Sequence, residues 1–434
     1  MSNTEPVDTL KAFYRSTEGV DAPVIQYPKL PTYADEANGK EKALWHEFWS
    51  SPDDTVEEED RARAAARGYF VLTALQLQQA PERDLASVSK RFTEAAVELY
   101  GKPDITEVRR LAANQYHELT KLLSNKAVEQ DRLNHVLEFL RTQLGEIPAV
   151  DDQTNEKLND SLDAIKGVFE TQFADALQVF KGLEAGSKSL SAAQVKELFE
   201  EAKAILESKE PAWQQWSVNF ADKKTMGSDD KQQAIEIGEK GSYSPARLKR
   251  LFIEEVLVHS LRSVNGSKTQ DYMLEHGLPS YLDAEEGLAK FIQLAMGDEI
   301  GERTKDFYMD TAFALGELDR PPISRPELCS IYIDKEIVRQ QAKGEAVDYE
   351  DLKDRAWRYV NRIYRGSLGN EYIAVNTKDI AYYHGFLKIS RYIEEKLAAG
   401  VAPAKLLDYL LAAKFDPTNS RHVEYLKRFN IEFE

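Results

Sequence analysis

The stretch Glu254-Glu255-Val-Leu-Val-His259 sets two carboxylates and an imidazole inside an otherwise apolar segment. On a helix turning about 100° per residue, Leu248, Phe252, Glu255 and His259 fall within about 60° of one another, so an acid and an imidazole share an apolar stripe. Leu251, Ile253, Val256, Leu257, Val258 and Leu261 make the rest of the segment apolar nearly all round, which marks a buried helix. A carboxylate buried alone costs several kcal/mol, so these groups must be paired, protonated or bound to a metal. Glu254 lies one step, about 100°, round the helix, and reaches the same centre only where the helix unwinds or bulges. Two readings stay open: a metal or catalytic site, or a plain buried Glu255–His259 pair with Glu254 in solvent.

A second acidic group follows in Asp283-Ala-Glu-Glu286-Gly-Leu-Ala289. Its simplest reading is a helix start, with Asp283 as N-cap, Glu286 three residues on completing a capping box, and Glu285 favouring the positive helix end.

The elements around these residues read as mainly helical. Pro23, Pro28 and Pro31 break up an irregular leader over 1–40, and a loop at 51–55 feeds a helix over 62–79. Leu85, Val88, Phe92, Ala96 and Leu99 form one helical face that stops at Gly101, and Thr106 offers an N-cap for the next helix. Further helices are expected over 132–144, along the stripe from Leu158 to Phe180, and over 191–207. The pattern then changes. Residues 216–220 and 234–237 alternate with period two and are expected as strands, separated by a turn at Gly227-Ser-Asp-Asp230. Ser244-Pro245 opens the helix that carries the chemistry, and Asn265-Gly266 is its stop signal. Asp283 opens another helix, and after the 321–326 loop the helices resume, with one short strand at 372–375. The fold class is therefore mainly α with a small β-sheet. The divisions expected are the leader at 1–40, a helical region at 41–210, a core at 211–330 and a C-terminal helical region at 331–434.

Composition sets the setting. The chain has 434 residues, 42% apolar and 30% charged, enough for a sizeable core. Lys and Arg number 56 against 74 Asp and Glu, and the net charge of −18 argues against a general nucleic-acid or anionic-membrane binder. The lone cysteine, Cys329, excludes an intramolecular disulfide and a thiolate zinc site, and reads as a small core residue. No signal peptide and no apolar run of membrane-spanning length is read, so the cytoplasm is the expected address.

Taken together, Glu254-Glu255-Val-Leu-Val-His259-Ser-Leu-Arg262-Ser-Val-Asn265-Gly266 and Glu285-Glu286-Gly-Leu-Ala289 resemble the motifs of the microtubule-associated tyrosine carboxypeptidase family. That family carries His-Glu-x-x-x-His, then Leu-Arg and Asn-Gly, then Gln-Glu-Gly-Leu-Ala. Tyr100-Gly101-Lys-Pro-Asp104, Arg362-Ile-Tyr-Arg365-Gly366, Lys378-Asp379 and Tyr382 look like further family features, in the same order.

The resemblance implies a zincin-like metallopeptidase core wrapped by N- and C-terminal helices. It makes His259 and Glu286 metal ligands and Glu255 the general base. Glu254 stands where the first histidine of the motif would be, and Glu285 where the glutamine would be. A Glu/His/Glu set still completes a three-ligand site for zinc. Two carboxylates cancel the ion's charge, which weakens its activation of water and moves preference towards Mn or Fe. The implied reaction is removal of a C-terminal residue, Tyr or Phe in the family's pattern, from a peptide or protein tail. Arg262, Arg362 and Arg365, with Lys378 behind them, are candidates to hold the terminal carboxylate, and Asn265 and Tyr382 join them as substrate contacts. At least one of the three arginines reads equally as ordinary ion pairing in an acidic protein. The rival expectation is a pseudoenzyme that binds such a tail without metal and without cutting it.

Overall fold

The computed structural model describes residues 82–149, 155–181, 183, 189–278, 280–298, 301–364 and 373–432. The expected leader, the 51–55 loop and the 62–79 helix lie outside the described residues. The chain forms two compact units, each assembled from two stretches of sequence.

The unit Asp152–Gly301 with Ala381–Glu434 contains the chemistry-bearing helix. Its elements in chain order begin with α1 (Asn155–Gln172), α2 (Ala174–Gln178) and α3 (Ala192–Lys209). The expected stripe from Leu158 to Phe180 is thus helical with a break at Phe173, and α3 opens on a full Ser191/Gln194 capping box. Strands β1 (Ser217–Ala221), β2 (Gly227–Asp229) and β3 (Ala234–Gly238) follow. β3 is central, parallel to β1 and antiparallel to β2. The two expected strands are present, but the expected turn at 227–230 is itself mostly strand. Gly-Ser-Asp has poor strand propensity, and its extended form is imposed by pairing with β3 at the sheet edge.

Next come α4 (Pro245–Leu251), a π-helix (Phe252–Ser260) and α5 (Leu261–Ser267), continuous with one another. Ser244 precedes Pro245 at the first helical turn, as the sequence signals. Gly266 does not stop this helix. It is still helical, and a Cβ there would strike the Leu274 carbonyl of α6 (Tyr272–His276). α7 (Leu282–Ala295) starts at Leu282, so Asp283 sits in its first turn rather than at the N-cap, and the capping box is absent. α8 (Ala381–Ala398), α9 (Pro403–Leu410) and α10 (Ser420–Lys427) complete the unit.

α7 and α8 cross where neither carries a side chain. A Cβ on Gly287 would meet the Gly385 backbone, and one on Gly385 would meet the Asp283 carbonyl. That contact fixes the height of α7, and with it the position of Glu285 and Glu286. Around the π-helix the core is aromatic, with the Phe252 ring 4.6 Å from Phe180 and 5.4 Å from Phe199. Each such side chain contributes about 1.5–3 kcal/mol of burial, which offsets the poorer hydrogen bonding of a π-helix.

The other unit joins Glu302–Ile380 to the described part of residues 1–151. Leu85–Tyr100 and Gln130–Leu144 are helical as expected. Asp104, not Thr106, caps Ile105–Thr120, because its carboxylate accepts from the N–H groups of both Thr106 and Glu107. A buried ionic network ties the two stretches together. Asp306 accepts from Arg339 at 2.6 Å and Gln115 at 2.7 Å, and Asp334 accepts from Arg132 at 2.6 Å. The short strand expected at 372–375 is not formed over the described residues 373–375. There the Val375 N–H bonds the Thr93 hydroxyl instead of a neighbouring strand, with Ala374 packed in a core beside Phe92. Cys329 is buried, and burial pushes its thiol well up, so it remains a protonated core residue. Among the described residues no helix is long and apolar enough to cross a membrane.

Candidate metal centre

The π-helix answers the geometric problem posed by Glu254. In an α-helix, residues five apart lie about 140° from each other. Here the Leu261 N–H bonds the Val256 carbonyl five residues back, and the Ser260 hydroxyl bonds the Glu255 carbonyl at 2.7 Å. A turn closed over five residues puts Glu254 and His259 on one side. With Glu286 of α7 they offer three ligand atoms lying within 4.8 Å of one another. His259 Nε2 is 3.9 Å from Glu286 Oε2, and their side chains are 11% and 16% exposed, so the cluster is screened yet reachable.

Glu285 sets the orientation of the imidazole. Its Oε1 lies 2.9 Å from His259 Nδ1, while Arg262 grips Oε2 and Lys414 Nζ stands 3.4 Å from Oε1. Burial raises the Glu285 pKa, but Arg262, Lys414 and His259 outweigh it and hold the carboxyl well below its usual range. An ionised carboxylate only accepts, so Nδ1 carries the proton and Nε2 is left to face Glu286 and Glu254. Burial alone would lower the His259 pKa. The hydrogen bond and charge of Glu285, with Glu286 and Glu255, raise it to about 9.

Glu255 is the neighbouring acid. Its Oε2 accepts the Ser228 N–H at 3.0 Å, an amide that edge strand β2 turns towards the helix. Burial raises its pKa to about 7, assisted by Glu254 and Glu286 and opposed by His259. A carboxyl poised near neutrality suits a general base. Glu286 is also raised, first by burial.

Glu254 is already engaged. Lys290 Nζ donates to Oε1 at 3.1 Å and Gln293 Nε2 to Oε2 at 2.8 Å. Burial raises its pKa, but Lys290, His259 and Gln293 bring it below the usual value.

The donor set fits a divalent cation. It offers one oriented imidazole nitrogen and two carboxylates, with the imidazole's second nitrogen tied to a carboxylate, an arrangement that favours zinc and accommodates Mn or Fe. The resemblance in the sequence named these three residues and Glu255, the structure brings the three together, and the helix bulges as Glu254 required if it was to join them. Glu285 does fall in the first turn of its helix, as its helix-end reading has it, but it is buried at 2% exposure and also bonds His259 and Arg262.

The expected substrate contacts divide. Arg262 is corrected: at 1% exposure its guanidinium is buried against Glu285 and the Ala413 and Phe415 carbonyls, to which it donates at 2.7 and 2.6 Å, so a substrate carboxylate has no path to it. It is an ion pair that serves the structure, as expected for at least one of the three arginines. Asn265 is also corrected, since it donates to the Leu411 carbonyl at 2.8 Å and lines a separate cavity of about 710 Å³ with Trp213, Phe173 and Lys268. Arg362 pairs with Asp379 at 2.8 Å and lies over the Phe307 ring, within the other unit. Lys378 opens the short 3₁₀ turn Lys378–Ile380 there, and Tyr382 is half-buried on the first turn of α8. Arg365 lies outside the described residues.

Lys290, Gln293, Lys414 and Asp230 were missed. Lys290 and Gln293 stand four and seven residues after Glu286 on one helix, a spacing that marks a shared face. Lys414 carries no such signal. It is buried against Asp230 and Glu285, two partners far away in sequence.

Residues 347–431 match the family model for microtubule-associated tyrosine carboxypeptidase. The matched stretch supplies Lys414 and the carbonyls that hold Arg262, whereas Glu254, Glu255, His259, Glu285 and Glu286 precede it. No curated protein and no solved structure shows a significant match to the chain.

Proposed function

We propose that this protein is a metallocarboxypeptidase-like hydrolase that removes a C-terminal residue, tyrosine or phenylalanine, from a peptide or protein tail in the cytoplasm. The observation that carries the reading is the convergence of Glu254, His259 and Glu286 beside a carboxyl, Glu255, poised near neutrality. The match over 347–431 to a family named for a tyrosine carboxypeptidase supports the substrate class. On this reading the core is zincin-like, and Glu254, His259 and Glu286 hold zinc, or Mn or Fe.

A divalent cation bound there supplies Lewis acidity, polarising a carbonyl and making nearby water more acidic. Glu255 takes the proton from the attacking water and passes it to the leaving amine. The Ser228 N–H keeps the Glu255 carboxyl aimed, and Glu285 holds the Nδ1 proton of His259, so that Nε2 is the nitrogen turned towards a metal. Tyr382, on α8 of the unit that holds the metal centre, stays a candidate contact for the tail.

The test is release of the C-terminal residue from peptides ending in Tyr, free or amidated, by zinc-loaded protein. Release from the free form alone is expected, and Glu255→Gln should slow it by about 10²–10⁴ while leaving zinc content unchanged. Equal release from the amidated peptide, or none from either, contradicts the reading. The grip of Lys290 and Gln293 on Glu254 favours a second reading, a tail-binding regulatory protein that does not cut. It expects the free peptide to be bound and recovered intact.

A further inference from the structure

Glu254 differs from the other members of the cluster in how completely its carboxylate is used. One oxygen takes the Lys290 ammonium and the other takes the Gln293 amide. Lys290 Nζ also donates to Gln293 Oε1 at 2.9 Å, so lysine, glutamine and glutamate close a ring of hydrogen bonds. Gln293 is locked further by its bond to the Arg250 carbonyl at 3.2 Å. The lysine stands four residues after Glu286 on α7, so one helix face presents a candidate ligand and a competing cation.

The charges explain why a cation must be here at all. Glu254, Glu255 and Glu286 crowd one imidazole, and burial opposes their ionisation. An ammonium on Glu254 relieves that crowding when no metal does. Lysine suits the task, because its charge is compact, its stem has many rotors, and at 19% exposure the head has a path to water. Gln293, 3% exposed and fixed on both sides, has no such freedom.

We infer that Lys290 is the resident counter-cation of Glu254 and the gate to the metal site: its ammonium and a divalent ion compete for one carboxylate, and binding requires Lys290 to swing away. This rests on reading Glu254, His259 and Glu286 as metal ligands, and it adds a regulation of that site. Lys290 is a positioning residue, and it touches neither substrate nor reacting atoms in this account.

The experiment uses the full chain as wild type, Lys290→Gln, Glu254→Gln and the double variant. In chelator, thermal unfolding tests the pair without metal. Each single variant should unfold at a lower temperature than wild type, and the double variant should recover part of the loss. With chelator removed, competitive titration with zinc alone tests the gate. Lys290→Gln should bind zinc about tenfold or more tightly than wild type, because no ammonium has to leave. Additive losses in chelator would overturn the pairing. Pairing with equal zinc affinities for wild type and Lys290→Gln would overturn the gate while leaving the metal site standing. Zinc held by neither protein would overturn the metal site, and the gate with it.

Discussion

The Nδ1 proton of His259 is held by Glu285, and that hydrogen bond decides which nitrogen meets the cluster. The cost of a fixed, acid-surrounded imidazole is a high pKa, about 9 against an ordinary 6.5. A raised pKa means that the charged form is favoured by folding. In metal-free protein its contribution to stability is complete below about 6.5 and is lost as pH rises through about 9. Metal must displace that proton from Nε2. Apparent zinc affinity should therefore climb with pH, by about tenfold per unit while one proton is released, and level off above about pH 9. A chelator-competition titration across that range checks it, and a flat profile would show that His259 does not bind. At this scale the sequence was informative wherever polarity clashed with its surroundings. Glu255 and His259 stand out because their neighbours are apolar, whereas Arg262 gave no sign of being consumed by backbone carbonyls that follow it by some 150 residues.

Two elements hold the site, and each depends on a local irregularity. The π-helix brings Glu254 round to His259, and the Gly287–Gly385 crossing sets α7 at the height where Glu286 meets them. Gly287→Ala would drive a methyl group into the Gly385 backbone, where no flexible side chain can give way. Such overpacking costs about 1–3 kcal/mol, and zinc affinity should fall with it as α7 backs off. Urea unfolding in chelator with a parallel zinc titration measures both, and wild-type values would show that the helices do not meet there. The bulge was legible only as a condition: Glu254 and His259, five apart, do not share an α-helical face, so Glu254 joins His259 only where the helix bulges. The long helices were legible from their apolar spacing. β2 was not, since nothing in Gly-Ser-Asp asks to be a strand until β3 offers its edge. The strand expected at 372–375 fails for the opposite reason: Ala374 and Val375 are buried, but the Val375 N–H bonds the Thr93 hydroxyl and the next N–H, of Asn376, bonds the Ile363 carbonyl.

Across the whole molecule, every residue of the candidate metal centre falls in the unit built from residues 152–301 and 381–434. The site is thus closed by a stretch from each side of the inserted segment 302–380, and Lys414 reaches Glu285 from the far one. A net charge of −18 gives the molecule a field that draws divalent cations. Glu254, His259 and Glu286 together are read as a metal site. The most direct test of that reading is elemental analysis of protein purified without chelator and dialysed against trace zinc. About one divalent ion per chain is expected in wild type and in Glu255→Gln, and its loss in His259→Gln and Glu286→Gln. Wild-type protein that holds no metal, or that keeps its metal when both His259 and Glu286 are replaced, would contradict it.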